Sequence, residues 1–314
     1  MNTEYMDKIG KQLKEKNDLS DASINLYLQQ LRTLNGGEPF KNLTFLKDVE
    51  NVKKIIEAYG TNTQKTYLSA VVAVLSLGKK SRLLDTYKEL LEEKIKEYNE
   101  KDKNEKTEKE NKNWMSWDEI EELKTDLREK VNEFVNNKKI TNKQWEILLR
   151  LLLVSLYTEI PPRRDQDYQH CYINKDEKGL TDDKNYLITS KDKFIFNKYK
   201  TAKSGGKQEI DFSNNDEFGK VLEMYLKHHP LLKGKKSDIP FLVDSNGTHY
   251  TATNAITRLL NKAFGKKVGS SMLRKIYLTS KYGDKLETFK EMRELAKSMG
   301  HSASTAQNVY IKEV

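Results

Sequence analysis

The sequence contains a single cysteine, Cys171, among 314 residues. An internal disulfide and a Cys-x-x-Cys zinc site are therefore excluded, and this composition fits a reducing, intracellular compartment. Histidine is also scarce, with 5 residues scattered along the chain, and no carboxylate cluster has the spacing of metal ligands. We therefore expect chemistry that needs neither a metal nor another cofactor.

The sequence also lacks a signal peptide, and none of its apolar runs approaches the ~20 residues that a bilayer requires. We expect a soluble protein with no membrane partner. What the chain has in excess is positive charge, because 56 Lys and Arg residues outnumber 47 Asp and Glu residues and give a net charge of +9. This balance favours polyanions such as nucleic acid, although a lysine-rich solvated surface would produce it too.

The first 98 residues predict a helical domain. Apolar side chains recur at helical spacing, for example over residues 22–34 and 64–77, which Ser20 and residues 61–63 can cap. Residues 99–112 contain no apolar side chain and cannot bury enough surface to offset their conformational entropy. We interpret them as a charged linker between two domains.

Residues 113–314 predict a second domain. Ser116 and Glu119 have the spacing of a capping box, and Thr141 precedes a densely apolar helix over residues 142–157. A small antiparallel sheet is predicted from three short segments, residues 185–189, 193–199 and 208–212. The expected fold class is therefore mainly α with a small antiparallel β-sheet, an α+β fold.

Two arginines, Arg163 and Arg164, directly follow the apolar helix, and Asp167 is close enough in sequence to orient one of them. A third arginine, Arg274, lies in an apolar run whose helix begins at Ser270, which we expect to cap it. A buried unpaired guanidinium is costly, so Arg274 needs an anionic partner. A carboxylate in the core would neutralise Arg274, but we favour a bound phosphate as the more specific hypothesis.

The end of the chain pairs an imidazole with a phenol, because His301 precedes Tyr310 by nine residues. If the segment around residues 304–310 is helical, both groups can face one pocket. A phenol is a poor nucleophile at neutral pH, since its ordinary pKa is about 10, so it needs cationic neighbours. A predicted turn at residues 200–207 contains Lys200 and Lys203, and a lysine on such a turn can reach into a neighbouring pocket.

These residues form an ordered series that resembles the tyrosine recombinase or phage-integrase family. The series comprises an arginine after a buried helix (Arg164), a lysine in a β-turn (Lys200), an arginine at a helix start (Arg274), and a Gly-His-Ser sequence with His301 followed by Tyr310. The resemblance covers residues 114–314 as the catalytic domain, and the helical region before it is similar to the core-binding domain of that family. The PPRR and LRKIYL sequences look closest to integrases of large DNA viruses and mobile elements.

The resemblance implies site-specific DNA recombination or integration. Tyr310 would attack a DNA phosphorus to give a 3′-phosphotyrosine and a free 5′-hydroxyl, without metal or ATP. Arg164 and Arg274 would hold the non-bridging oxygens, His301 would donate a further hydrogen bond, and Lys200 would protonate the leaving oxygen.

The implied partners are double-stranded DNA and three further copies of the chain, as a homotetramer on DNA. Arg163, Lys203, Lys65 and Arg258 are the candidate DNA contacts, and the protein is expected to be intracellular and DNA-associated. Only four residues follow Tyr310, fewer than the tail helix that many relatives pass to a neighbouring subunit. That contact is therefore made elsewhere, or the chain is truncated.

Several assignments remain open. The family usually has a histidine where this chain has Ser271, which is a much poorer proton acceptor. Arg163 competes with Arg164, which we favour because Asp167 follows it at the family's usual offset of three. Lys198 and Lys203 likewise compete with Lys200. A type IB topoisomerase or a catalytically decayed DNA-binding protein are the alternative functions.

Overall fold

The computed structural model describes residues 3–17, 19–100, 105–233 and 239–307. The chain divides into two compact units, Met1–Glu105 and Lys106–Val314. The boundary between the units lies within the predicted linker, residues 99–112, of which residues 101–104 lie outside the described residues. The linker is helical on both sides of that gap, because one helix extends to Glu100 and another begins at Glu108.

The N-terminal unit is helical in its described residues. Its α-helices are α1 (Glu4–Asn17), α2 (Asp21–Leu34), α3 (Val49–Glu57), α4 (Thr61–Leu75) and α5 (Arg82–Glu100). The Ser20 side chain caps α2, as predicted, by accepting a hydrogen bond from the Ser23 N–H. The predicted cap of the fourth helix is wrong, because α4 already begins at Thr61 and its N-cap is Gly60, which has no side chain to accept a hydrogen bond.

Helices also dominate the described part of the C-terminal unit. They are α6 (Glu108–Asn113), α7 (Trp117–Asn132), α8 (Asn142–Thr158), α9 (Asp165–Gln169), α10 (Ala202–Gly205), α11 (Asp216–His228), α12 (Ala255–Phe264), α13 (Ser270–Tyr282), α14 (Leu286–Ser298) and α15 (Ala303–Thr305). Ser116 and Glu119 form the predicted capping box of α7, and Thr141 caps α8. The predicted serine cap of α13 is wrong, since Gly269 is its N-cap and Ser270 its first residue.

Helix α8 is the centre of the C-terminal unit. Every residue from Leu151 to Thr158 is buried, and α8 packs against α7, α11, α12 and α13. This environment explains why the second half of α8 is apolar on all sides. Across the described residues, however, no helix combines the length and apolar character needed to cross a membrane.

A five-stranded sheet completes the described part of this unit. Its strands are β1 (Cys171–Asn174), β2 (Asn185–Ile188), β3 (Lys193–Phe196), β4 (Gln208–Asp211) and β5 (Ile239–Pro240), in the order β4-β3-β2-β1-β5. The three strands predicted before position 213 pair antiparallel, as expected, but β1 runs parallel to β2 and makes the sheet mixed. The mainly α, α+β class is confirmed. Cys171 is fully buried in β1, and burial raises the pKa of its thiol.

His229, directly after α11, is a buried titratable group in this core. Its ring meets Trp145 and Tyr225 edge-on, and its Nδ1 accepts a hydrogen bond from the Leu231 N–H at 3.3 Å. Burial lowers the pKa of His229 from its ordinary 6.5 to about 4. The folded unit therefore holds this imidazole neutral under conditions in which an unfolded chain would protonate it.

We expect His229 to weaken the C-terminal unit in acid. As the pH falls from 6.5 through 4, the unfolded chain binds the proton more readily, so the free energy of unfolding falls by up to about 3 kcal/mol. Urea unfolding followed by tryptophan fluorescence measures this unit alone, because all 3 tryptophans lie at positions 114–145. The His229→Phe variant should lose this part of the pH dependence, and an identical pH profile for variant and wild type would contradict the prediction.

Candidate functional site

A cleft of about 600 Å³ contains three arginines of the C-terminal unit. Arg163 and Arg164 come from the segment between α8 and α9, and Arg274 comes from α13. Asp167 and Glu209 are the carboxylates that line it, among the described residues. Arginines from distant parts of the sequence thus converge on one concave surface.

The chain leaves the core at this point because of two prolines. After α8 ends at Thr158, Pro161 and Pro162 prevent the helix from continuing and hold the chain extended. Helix α9 then begins at Asp165, with Arg164 as its N-cap in an extended conformation. The two arginines are therefore presented at the edge of the buried helix rather than within it.

Arg163 is held by internal contacts. Its Nε donates to Asp167 Oδ2 at 2.9 Å, a terminal nitrogen donates to the Gln208 side chain, and its guanidinium lies 4.4 Å and 4.8 Å from the ring centroids of Phe196 and Tyr199. The ion pair with Asp167 therefore belongs to Arg163 and not, as the offset of three suggested, to Arg164. These internal contacts also argue against the expected DNA contact by Arg163.

Arg164 and Arg274 differ from Arg163 in having no counter-ion. Both side chains are half-buried, and within the described residues neither forms an ion pair or a hydrogen bond. Charge that is partly removed from water without a partner is unfavourable unless an anion binds. Arg164 therefore remains the preferred first arginine, for the reason that it is unpaired.

The carboxylates of the cleft are neutralised by other residues. Asp167 is paired with Arg163, while Glu209 lies 2.7 Å from Lys193 and 2.6 Å from Lys207. Hydrogen bonds from Lys193 and Lys207 lower the pKa of Glu209, so it is ionised but compensated. Among the described charged residues that line the cleft, Arg164 and Arg274 are therefore the ones without a counter-ion.

The predicted lysines lie on the hairpin between β3 and β4. Lys198, Lys200 and Lys203 are all exposed. The cleft is lined by Tyr199 and Thr201, on either side of Lys200, but by none of the three lysines. The structure thus places the candidate general acid beside the cleft, with its side chain outside the lining.

Ser271 is an exposed residue in the first turn of α13. It does not line the cleft, whereas Arg274, less than one helical turn later, does. The question whether Ser271 replaces the usual histidine of the family stays open.

His301 is placed by the end of α14. The His301 N–H donates to the Ala296 carbonyl at 3.0 Å and the Gly300 N–H donates to the Lys297 carbonyl at 3.0 Å, which is the Schellman pattern. Gly300 has φ +79°, a left-handed conformation that favours glycine. The Gly-His-Ser sequence therefore encodes a helix stop that fixes the His301 backbone, although His301 does not line the cleft in the described structure.

Three predicted residues remain, namely Tyr310, Arg258 and Lys65. Tyr310, the candidate nucleophile, lies outside the described residues. Arg258 is exposed on α12. In the N-terminal unit, the Lys65 ammonium lies 3.8 Å from the ring centroid of Tyr98. The described structure therefore brings together the arginines, and leaves the other assignments as predictions.

Sequence reasoning missed the residues that support the arginines. Gln208, Phe196 and Tyr199 surround Arg163, and Asp165 bonds to two other helices. The aromatic side chains in and after β3 were a usable signal, because a guanidinium stacks well on aromatic rings. No comparable signal in the sequence indicated Asp165, because its hydrogen-bond partners are far away in the chain.

No protein-family model matches this chain, and no curated protein matches it either. The functional assignment therefore depends on the residues of the sequence and on the geometry of the cleft.

Proposed function

We propose that this protein cuts and rejoins DNA through a covalent phosphotyrosine, as a site-specific recombinase or integrase. The observation that carries the proposal is the pair of half-buried arginines, Arg164 and Arg274, that share a cleft and have no counter-ion within the described residues. A phosphodiester supplies the missing anion, and its two non-bridging oxygens match two guanidinium groups.

The arginine pair suits the transition state better than the ground state. When a nucleophile adds to phosphorus, charge grows on the non-bridging oxygens, and donors that are already oriented stabilise this charge most. Glu209 and Asp167 form ion pairs with other cations, so Arg164 and Arg274 can bind the phosphate of the substrate.

The proposed step balances without a co-reactant. The Tyr310 phenol releases its proton to water as its oxygen bonds to phosphorus, the bond to the 5′-oxygen breaks, and the Lys200 ammonium gives that oxygen a proton. His301 donates a hydrogen bond to the phosphoryl group. The ester conserves the bond energy, so a 5′-hydroxyl from another strand reverses the step and releases the tyrosine.

Double-stranded DNA is the proposed partner. The net charge of +9 supports binding to a polyanion, and affinity should fall steeply with salt because phosphate contacts release counterions. Arg258, Lys203 and Lys65 are the proposed backbone contacts. Exchange between two duplexes requires several active subunits, so we propose a homotetramer on DNA.

Covalent trapping tests the proposal. A duplex is first selected from a random library for binding to the protein, then nicked so that the short fragment carrying the free 5′-hydroxyl diffuses away, and incubated in EDTA before denaturation. We expect a protein–DNA adduct with wild type and with Tyr282→Phe, an exposed tyrosine on α13, but none with Tyr310→Phe.

Each outcome of the trapping experiment has one meaning. An adduct that persists in Tyr310→Phe overturns the assignment of the nucleophile. A Tyr310-dependent adduct with relaxation of supercoiled plasmid but no strand exchange favours a type IB topoisomerase. A selected duplex that binds but yields no adduct favours a DNA-binding protein without this chemistry.

The turn before His301 provides a separate prediction. Gly300→Ala should slow adduct formation about fivefold, because a side chain that resists the left-handed conformation displaces His301 and removes about 1 kcal/mol of its hydrogen bonding to the phosphoryl group in the transition state. The matched control is Gly179→Ala, since Gly179 has φ +70° and, as at Gly300, an added Cβ would meet nothing within 4 Å. Equal rates for the two variants would contradict a role for this turn in catalysis.

A further inference from the structure

We infer that Asp165 is a positioning residue that fixes Arg164 and Arg274 relative to each other. The inference rests on the proposed function, in which these two arginines hold one phosphate. It assigns to Asp165 a task distinct from the ion pair of Asp167 with Arg163, because the two carboxylates act on different elements.

The Asp165 carboxylate joins three helices. Its Oδ2 accepts a hydrogen bond from Thr257 Oγ1 on α12 at 2.6 Å, and its Oδ1 accepts one from Ser270 Oγ on α13 at 3.1 Å. Asp165 is itself the first residue of α9. A hydrogen bond to a charged acceptor is stronger than a neutral one, so both contacts hold their helices firmly.

A short length of backbone separates each arginine from a residue of this hydrogen-bond network. Arg164 is adjacent to Asp165 in the chain and is the N-cap of α9. Arg274 follows Ser270 by four residues on α13, which places both on the same side of the helix about one turn apart. Asp165 therefore connects the two segments that carry the unpaired arginines.

The hydroxyl of Ser270 is available for this contact because it does not cap its own helix. The N-cap of α13 is Gly269, and α13 has no side-chain cap. Ser270 is only 6% exposed, so its hydrogen bond to Asp165 is partly shielded from water. A carboxylate beside the N-terminus of α13 is also favoured by the helix dipole.

The Asp165 carboxylate bonds to hydroxyl groups rather than to the arginines. Among the described residues Asp165 forms no ion pair with Arg164 or Arg274, and its two oxygens bond to hydroxyls instead. Burial raises the pKa of Tyr157 most, and the charges of Asp165 and Arg274 act on this pKa in opposite directions, Asp165 raising it and Arg274 lowering it. The arrangement holds the arginine segments together while leaving both guanidiniums free for an anion.

Phosphate binding tests the inference independently of DNA cleavage. Inorganic phosphate is titrated into the full chain, and its Kd is read from the arginine side-chain N–H resonances. We expect Asp165→Ala to raise the Kd about tenfold or more, and Thr257→Val or Ser270→Ala to raise it about threefold each. In the Asp165→Ala background the two smaller substitutions should have no further effect, because the shared acceptor is already gone.

Two further variants separate positioning from general destabilisation. Asp244→Ala is the matched control, because the Asp244 carboxylate also accepts two hydrogen bonds, from the Asn246 and Thr248 N–H groups, but does not line the cleft. It should leave the Kd unchanged. Asp165→Asn should recover most of the affinity, since an amide can still bond to both hydroxyls.

The outcomes distinguish this inference from the proposed function. An unchanged Kd in Thr257→Val and Ser270→Ala, which retain the charge of Asp165, overturns the positioning role even if Asp165→Ala does not fold. The positioning role is also overturned if Asp244→Ala loses as much phosphate affinity as Asp165→Ala. It is overturned as well if the wild-type protein binds no phosphate. If phosphate affinity follows the expected order but wild type forms no DNA adduct, the recombinase function fails and the positioning role stands.

Discussion

Replacing Arg274 by alanine should slow formation of the protein–DNA adduct by about 10²- to 10³-fold at saturating DNA. The reason is that Arg274 has no counter-ion among the described residues and meets charge that develops only as phosphorus becomes pentacoordinate. Arg164→Ala should have an effect of the same size. Single-turnover trapping on the nicked duplex measures both, and binding assays establish that the DNA sites are saturated.

Two other arginines serve as controls for this experiment. Arg258 is exposed on α12, so Arg258→Ala should change DNA affinity and leave the saturated rate nearly constant. Arg163→Ala should act mainly through stability, because Arg163 is committed to Asp167, Gln208 and two rings. If Arg163→Ala lowers the rate in a folded protein while Arg164→Ala does not, the roles of the two arginines are exchanged.

Asp167→Ala should lower the free energy of unfolding of the C-terminal unit by about 3–5 kcal/mol, the usual cost of removing one partner from a buried ion pair. The Asp167 side chain is 2% exposed and that of Arg163 is 16% exposed, so water cannot replace the lost carboxylate. Urea unfolding followed by tryptophan fluorescence measures this loss.

The double variant Arg163→Met/Asp167→Ala should recover most of the lost stability. A methionine can pack on Phe196 and Tyr199, where the guanidinium stacks now, and it leaves no unpaired charge. Burial raises the pKa of Asp167 even though Arg163 lies beside it, which indicates that the pair does not fully offset its own desolvation. A double variant as unstable as Asp167→Ala would show that Asp167 stabilises the unit by another route.

Local signals in the sequence predicted much of the secondary structure. Helix α7 was located by its capping box, whose partners are three residues apart, and α8 by the cap Thr141 and its densely apolar sequence. Strand β1 was missed because four residues, Cys171–Asn174, carry too little pattern, and its pairing with β2 is decided by tertiary contacts. The caps of α4 and α13 failed because a threonine or serine beside a helix start can equally be a residue of the helix.

The candidate site was predicted less completely than the fold. Arg164 and Arg274 came from the family resemblance, and physical reasoning alone required only that Arg274 meet an anion. The pairing of Asp167 with Arg163 depends on which guanidinium faces the rings of Phe196 and Tyr199. Asp165 could not be found at all, because its partners lie 92 and 105 residues further along the chain.

The burial of Cys171 makes the protein suitable for thiol labelling. It is the one thiol in the sequence, it is 0% exposed in β1, and its raised pKa disfavours the reactive thiolate. Maleimide reagents should therefore leave the folded wild-type chain unmodified. A cysteine introduced on an exposed position, such as Lys200 on the β3–β4 hairpin, would carry a fluorophore or a cross-linker to that position alone.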